Sequence, residues 1–320
     1  MKEKLSVLVS VSAICLMCLA SPAVIEGCRR GLLICWELIL PSLFPFFLLS
    51  ILLGKSGFAS AAGAGLERWS RRLFGVGGEG ATALLLGLTG GYPMGAAYLR
   101  ELEKRGAVRP EEGGRLLRFC NNSGPAFLVG ALGIGVFGSR RAGFLLWLSH
   151  ALAAVTVGLL FRRRDGTAAS VPSHGGQPPF SFRAAFPEAV REAVTSCLTV
   201  CGFVVCFSAF TGLLRSGGWL EAGLGLLSSR LPLEQKQLEA LFLGFFELGG
   251  GVGAMQGLPL RPENLALGAL LVGWGGVSVQ FQTLSLLADS EMKSAPHLTG
   301  RLLSAILGAF WAYLLSVLLL

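Results

Sequence analysis

Charged side chains make up only 14% of this 320-residue chain, and they fall between long apolar runs. No polar stretch is left over for a separate soluble catalytic domain. The signatures of soluble enzymes are missing as well: there is no H-E-x-x-H, no G-x-S-x-G, no Walker-type loop and no cluster of metal ligands. The chain has only three histidines, and its eight cysteines lie in apolar runs, where they do not make a disulfide framework. Cys15 and Cys18 form a C-x-x-C within such a run and read as small apolar side chains. The net charge of +8 does not point to nucleic acid, because the lysines and arginines sit in short loops beside apolar stretches, where they set topology.

Hydrophobic residues amount to 52% and are spread over the full length, which defines an all-α polytopic membrane protein in contact with the lipid bilayer. Apolar stretches fall at about 5–25, 32–53, 81–99, 116–137, 141–161, 193–214, 238–257, 264–287 and 300–320. Residues 1–30 hold Lys2, Lys4 and an apolar run, and read either as a signal-like segment or as an uncleaved N-terminal helix. If all nine stretches cross the membrane, the basic residues divide 13 to 14 between its sides. If 81–99 and 238–257 are re-entrant hairpins, the division becomes 19 inside to 8 outside, in keeping with the positive-inside rule. The first hairpin supplies most of that gain, and the second rests on glycine content and symmetry.

The symmetry is an internal repeat. Leu53-Gly54-Lys55-Ser56-Gly57 returns as Leu213-Leu214-Arg215-Ser216-Gly217, Gly90-Gly91 returns as Gly249-Gly250, and Arg109-Pro110-Glu111 returns as Arg261-Pro262-Glu263, all in one order. Each copy reads as helix, re-entrant hairpin, broken helix, helix. The copies occupy 31–161 and 193–320, joined by a cytosolic linker at 162–192 rich in Pro, Gly and Ser. Three crossings per copy turn the second copy upside down, the inverted-repeat plan of many secondary transporters. A short segment at 66–74 puts Leu66, Trp69, Leu73 and Phe74 on one helical face, as expected of a helix lying on the cytosolic lipid surface; an ordinary solvated loop is the other reading.

Polar groups inside the apolar stretches mark the candidate binding site. In the first hairpin Gly90, Gly91 and Tyr92 precede Pro93, where the chain should turn and a new helix begin. The first broken helix carries Asn121, Asn122 and Ser123 before Gly124 and Pro125, a set suited to capping a half-helix and to holding an anion or a polyhydroxyl ligand. A kink whose polar groups are satisfied by neighbouring helices is the competing reading. Glu247 stands before Gly249 and Gly250 in the second hairpin, where it would bind a proton, a sodium ion or a ligand hydroxyl, or else stay neutral and hydrogen-bonded. The second break offers Trp274, Ser278 and Gln280; the tryptophan is suited to ring stacking or to packing. His150 is a weaker candidate for a proton relay, and a histidine simply hydrogen-bonded to a neighbour is the reading preferred for it.

Gly91-Tyr92-Pro93-Met94-Gly95-Ala96, Cys120-Asn121-Asn122-Ser123-Gly124-Pro125-Ala126-Phe127 and Gly273-Trp274-Gly275-Gly276-Val277-Ser278-Val279-Gln280 occur in this order. With them the chain resembles the YlbJ-type sporulation integral membrane proteins, a family with paired nucleoside-recognition, or Gate, domains. The resemblance runs from about residue 30 onward, and the asparagine motif is its most specific part. It implies a cell membrane or the membrane around a developing spore, and transport of a small anionic metabolite, with dipicolinate the associated substrate. Nucleoside transport and a non-transporting membrane scaffold are the alternatives. No cofactor is expected beyond a coupling proton or sodium ion, and the oligomeric state is left open.

Overall fold

The computed structural model describes residues 2–162 and 180–320, so most of the expected linker lies outside the described residues. Every element among the described residues is a helix, as the composition led us to expect. Helix α1 (Lys2–Leu19) leads into α2 (Ser21–Lys55), a 35-residue helix that is π-wound over Cys35–Ile39. Its partner is α9 (Phe182–Ser216), also 35 residues long. At about 1.5 Å per residue each reaches roughly 50 Å, well beyond the roughly 30 Å apolar layer of a bilayer. Both start earlier than their apolar stretches, because charged turns extend the helices past the apolar layer. In α2 the Arg30–Glu26 pair at 3.0 Å sits in that extension.

The two long helices run antiparallel and touch along their length. Ala23 meets Gly212, Gly27 meets Ser208 and Ala209, and Gly31 meets Val205. Further along, the Cys35 thiol donates to the Cys201 carbonyl at 3.7 Å, and Lys55 pairs with Glu188 and Glu192 at 3.0 and 2.9 Å. Residue numbers rise on one helix as they fall on the other. Gly27 and Gly31 leave no room for a side chain at the crossing, and this is what lets the backbones approach.

After each long helix the order of elements is the same. The first half continues with α3 (Phe58–Phe74), a hairpin of α4 (Gly78–Gly90) and α5 (Met94–Lys104), an interrupted helix of α6 (Pro110–Cys120) and the π-wound α7 (Ala126–Val136), then α8 (Arg140–Leu160). The second half continues with α10 (Trp219–Ser228), a hairpin of α11 (Gln235–Phe246) and α12 (Leu248–Ala254), an interrupted helix of α13 (Pro262–Trp274) and α14 (Gly276–Leu286), then α15 (Ala295–Leu319). The hairpin arms hold 13, 11, 12 and 7 residues, each too short to cross a membrane. Among the described residues, five segments are long and apolar enough to cross: α2, α8, α9, α13 with α14, and α15. The α6–α7 segment is not among them: its two helices hold 11 residues each, and α6 carries Glu111, Glu112, Arg115 and Arg118.

Three expectations are corrected. Phe74 does not face outward with Trp69 and Leu73; it is buried against Phe119, ring centroids 5.3 Å apart, because α3 folds back across α4 at 92°. The glycine run after Glu247 is not the turn of the second hairpin. The turn is Glu247 itself, in extended conformation, and the glycines form α12. Arg301, one of the 19 basic residues assigned to the inside through the loop expected at 288–301, lies within α15 and is fully buried.

Candidate functional site

Hairpin tips and helix breaks meet backbone to backbone. Gly87 and Gly95, one on each arm of the first hairpin, both press on the Cys120 carbonyl at the end of α6. In the second half Gly276, which opens α14, lies against the Phe246 carbonyl and the Leu248 amide of the hairpin turn. Side chains larger than hydrogen would hold these segments apart. Across the halves, the Asn121 carboxamide donates to the Thr283 hydroxyl at 2.9 Å and the Tyr92 hydroxyl donates to the Val272 carbonyl at 2.9 Å.

Between these segments and the long helix pair lies a cavity with an empty volume of about 540 Å³, counting its mouth. One wall is apolar and comes from the long pair: Ile34, Ile39 and Leu43 of α2, and Val200 and Val204 of α9. The other walls come from both tips and both breaks: Gly91 and Tyr92, Ser123, Gly124 and Phe127, Glu247, Leu248 and Gly249, and Ser278, Val279 and Gln282. These residues open α5, α7, α12 and α14, so the start of each second half-segment faces the cavity. Main-chain N–H groups at a helix start carry partial positive charge.

Of the candidate residues, Gly91, Tyr92, Ser123, Glu247, Gly249 and Ser278 line this cavity together. Glu247 is 3% exposed and caps α12, its two oxygens accepting from the Gly249 and Gly250 amides at 2.7 and 2.5 Å. That cap already occupies the amides of the second tip. The Ser123 amide donates to His150 Nε2 at 3.1 Å, which orients the break of the first half against α8.

Gly90, Asn121, Asn122, Gly250, Trp274 and Gln280 are not brought to the cavity surface. Asn122 donates to the Phe119 carbonyl at 2.6 Å, and Gln280 to the Trp274 carbonyl at 2.7 Å, so both amide groups hold helix ends. Trp274 stacks on Phe245, ring centroids 5.7 Å apart, and donates to its carbonyl. The packing reading of that tryptophan is the one that fits. The carboxamide oxygens of Asn121, Asn122, Gln280 and Gln282 are buried and have no hydrogen-bond partner among the described residues.

Sequence reasoning passed over two residues. Gln282, two positions beyond Gln280, reaches the cavity, a distinction that depends on where α14 starts. Arg301 donates to the Asn121 carbonyl at 2.7 Å and the Val272 carbonyl at 3.0 Å, and also to the Gly273 carbonyl and the Tyr92 hydroxyl. Its position seven residues into α15 was the available signal.

These features define a polytopic helical membrane protein in which two halves bring interrupted segments to one internal cavity. The chain is 31% identical to the sporulation integral membrane protein YlbJ of Bacillus subtilis (strain 168) over 315 residues, covering 91% of this chain and 77% of that relative. It belongs to the family of YlbJ-type sporulation integral membrane proteins. No family model and no solved structure matches it.

Proposed function

We propose that this protein is a carrier for a small anionic metabolite during sporulation, with dipicolinate the substrate that the family resemblance favours. The observation that carries the reading is the shared cavity, to which both hairpin tips and both helix breaks contribute. The starts of α7 and α14 offer carboxylate oxygens main-chain N–H groups and the Ser123 and Ser278 hydroxyls. The apolar wall of Ile34, Leu43 and Val200 suits the ring of an aromatic acid. In this reading the two halves are inverted Gate-like repeats working by alternating access, and Glu247 couples transport to a proton or sodium ion. Nucleosides fit less well, because each Glu247 oxygen already accepts from an α12 amide, which leaves a ribose only part of the acceptor capacity of that carboxylate.

The test is uptake into proteoliposomes holding the purified chain, with dipicolinate and a nucleoside supplied side by side. Saturable accumulation of the acid above that of the nucleoside is the expected result, and accumulation of neither overturns the reading. A non-transporting scaffold has one observation in its favour: the amide groups of Asn121, Asn122 and Gln280 are all engaged in packing. The double variant Ser123→Ala, Ser278→Ala, at the two cavity-lining hydroxyls, separates the two. A carrier reaches the membrane and loses uptake and spore content of the acid, whereas a scaffold that reaches the membrane keeps the spore phenotype.

A further inference from the structure

Arg301 is a full charge enclosed in a membrane helix with no acidic partner. It is 0% exposed, and no carboxylate among the described residues forms an ion pair with it. An unpaired buried guanidinium is costly, and a chain retains one only where something offsets the charge. Its acceptors are three main-chain carbonyls and the Tyr92 hydroxyl. Asn121 is the C-cap that directly follows α6, and Val272 and Gly273 lie in the last turn of α13. Arg301 therefore sits at the C-terminal poles of both interrupted helices at once. Each such pole carries roughly half a negative charge, so the two together come to roughly one.

This matters at a helix break, where the negative pole of the first half-helix adjoins the positive pole of the second. Left alone, the two poles largely cancel, and a ligand beside the break feels little net field. A cation fixed on the negative poles removes that cancellation. The positive poles of α7 and α14, which open on the cavity at Ser123, Gly124, Ser278 and Val279, are then unopposed. Tyr92 links the two places: its hydroxyl accepts from Arg301, its ring lies 4.8 Å from the guanidinium carbon, and it lines the cavity.

Resting on the carrier reading above, we propose that Arg301 is a specificity-determining residue that never touches the substrate: by neutralising the C-terminal ends of α6 and α13, it makes the cavity selective for anions. The ligand class is a small dicarboxylate with an apolar body. The residue acts through the two breaks and Tyr92, so its removal changes which solutes are accepted, beyond any effect on how much protein folds.

The readout is the ratio of uptake of dipicolinate to that of its neutral diamide, two probes of the same shape. Arg301→Gln removes the charge. Ser304→Asp leaves the arginine in place and neutralises it from one turn away on the same buried face of α15, where the Ser304 hydroxyl has no partner among the described residues. In each variant the ratio is expected to fall by about tenfold or more, the effect of a unit charge acting over a partly screened path of roughly 10 Å. Ser304→Asn is the uncharged control and must keep the wild-type ratio. An unchanged ratio in either charge variant, with the protein monodisperse in detergent, overturns the proposal and leaves Arg301 a structural tie. If the wild-type chain moves neither probe, the carrier reading itself fails. Calorimetric binding of the two probes to the solubilised chain then still reports whether Arg301 sets the preference.

Discussion

The Asn121 carboxamide donates to the Thr283 hydroxyl at 2.9 Å, joining the break of the first half to the helix that follows the break of the second. Thr283 spends its own hydrogen on the Val279 carbonyl at 3.0 Å, so it meets Asn121 as an acceptor. Thr283→Val removes that acceptor and strands a buried N–H donor, at a cost of about 1–3 kcal/mol. Asn121→Ala in the same background should then add little beyond its own packing loss. Thermal unfolding of the two single variants and the double variant in detergent measures the coupling, expected at about 1 kcal/mol. Strict additivity would show that the two breaks are not tied through this bond.

Glu247 presents one oxygen to each of two main-chain amides, a cap that glutamine cannot reproduce, since its NH₂ group would face an N–H. Glu247→Gln should destabilise the hairpin by about 1–2 kcal/mol. In the proposed carrier it should also abolish the dependence of uptake on pH or sodium. Vesicle uptake over a range of both conditions tests this. Loss of stability with coupling intact would leave Glu247 a cap and nothing more.

Much of this architecture is legible in the chain because interrupted membrane helices need unusual residues. Glycine pairs, Asn121-Asn122-Ser123 and the repeated Arg-Pro-Glu marked both hairpins and both breaks, since these residues suit only chain turns or helix starts. What could not be read was direction within a segment. Whether Gln280 or Gln282 reaches the cavity turns on the start of α14 at Gly276, a matter of one residue. Arg301 was misplaced for a different reason. A basic residue near the end of an apolar run usually marks the membrane surface, and only the meeting of α6, α13 and α15 in three dimensions supplies carbonyls to hold one inside. The apolar wall from α2 and α9 was likewise hidden, because lipid-facing and cavity-facing valines and isoleucines look alike.

The antiparallel pairing of α2 and α9 places Cys35 and Cys201 side by side, with the Cys35 thiol 3.7 Å from the Cys201 carbonyl. In a variant retaining these two cysteines alone, a membrane-permeant oxidant should join them within one chain. Cleavage at an engineered protease site in the linker would then leave the halves linked on a non-reducing gel. Gly31→Leu should prevent the crosslink and destabilise the protein by about 1–3 kcal/mol or more, because Val205 and Ser208 already fill the space. Efficient crosslinking in the Gly31→Leu protein would mean the helices do not pack as described.

Two glycines of the second hairpin and break should respond in opposite ways to the same added methyl group. Gly276 has φ near +80°, and a Cβ there would stand 3.1 Å from the Phe246 carbonyl and the Leu248 amide. Gly276→Ala therefore combines left-handed backbone strain of about 1–2 kcal/mol with a push between the tip and the break. Gly253, in the last turn of α12, has open space where its Cβ would be. Gly253→Ala should raise stability by about 0.5–1 kcal/mol, from the lower entropy of the unfolded chain. Uptake should separate the two further: the first substitution displaces the start of α14 from the cavity and should weaken apparent substrate affinity, while the second leaves it unchanged. Equal affinity in both variants would argue that α14 does not bind the solute.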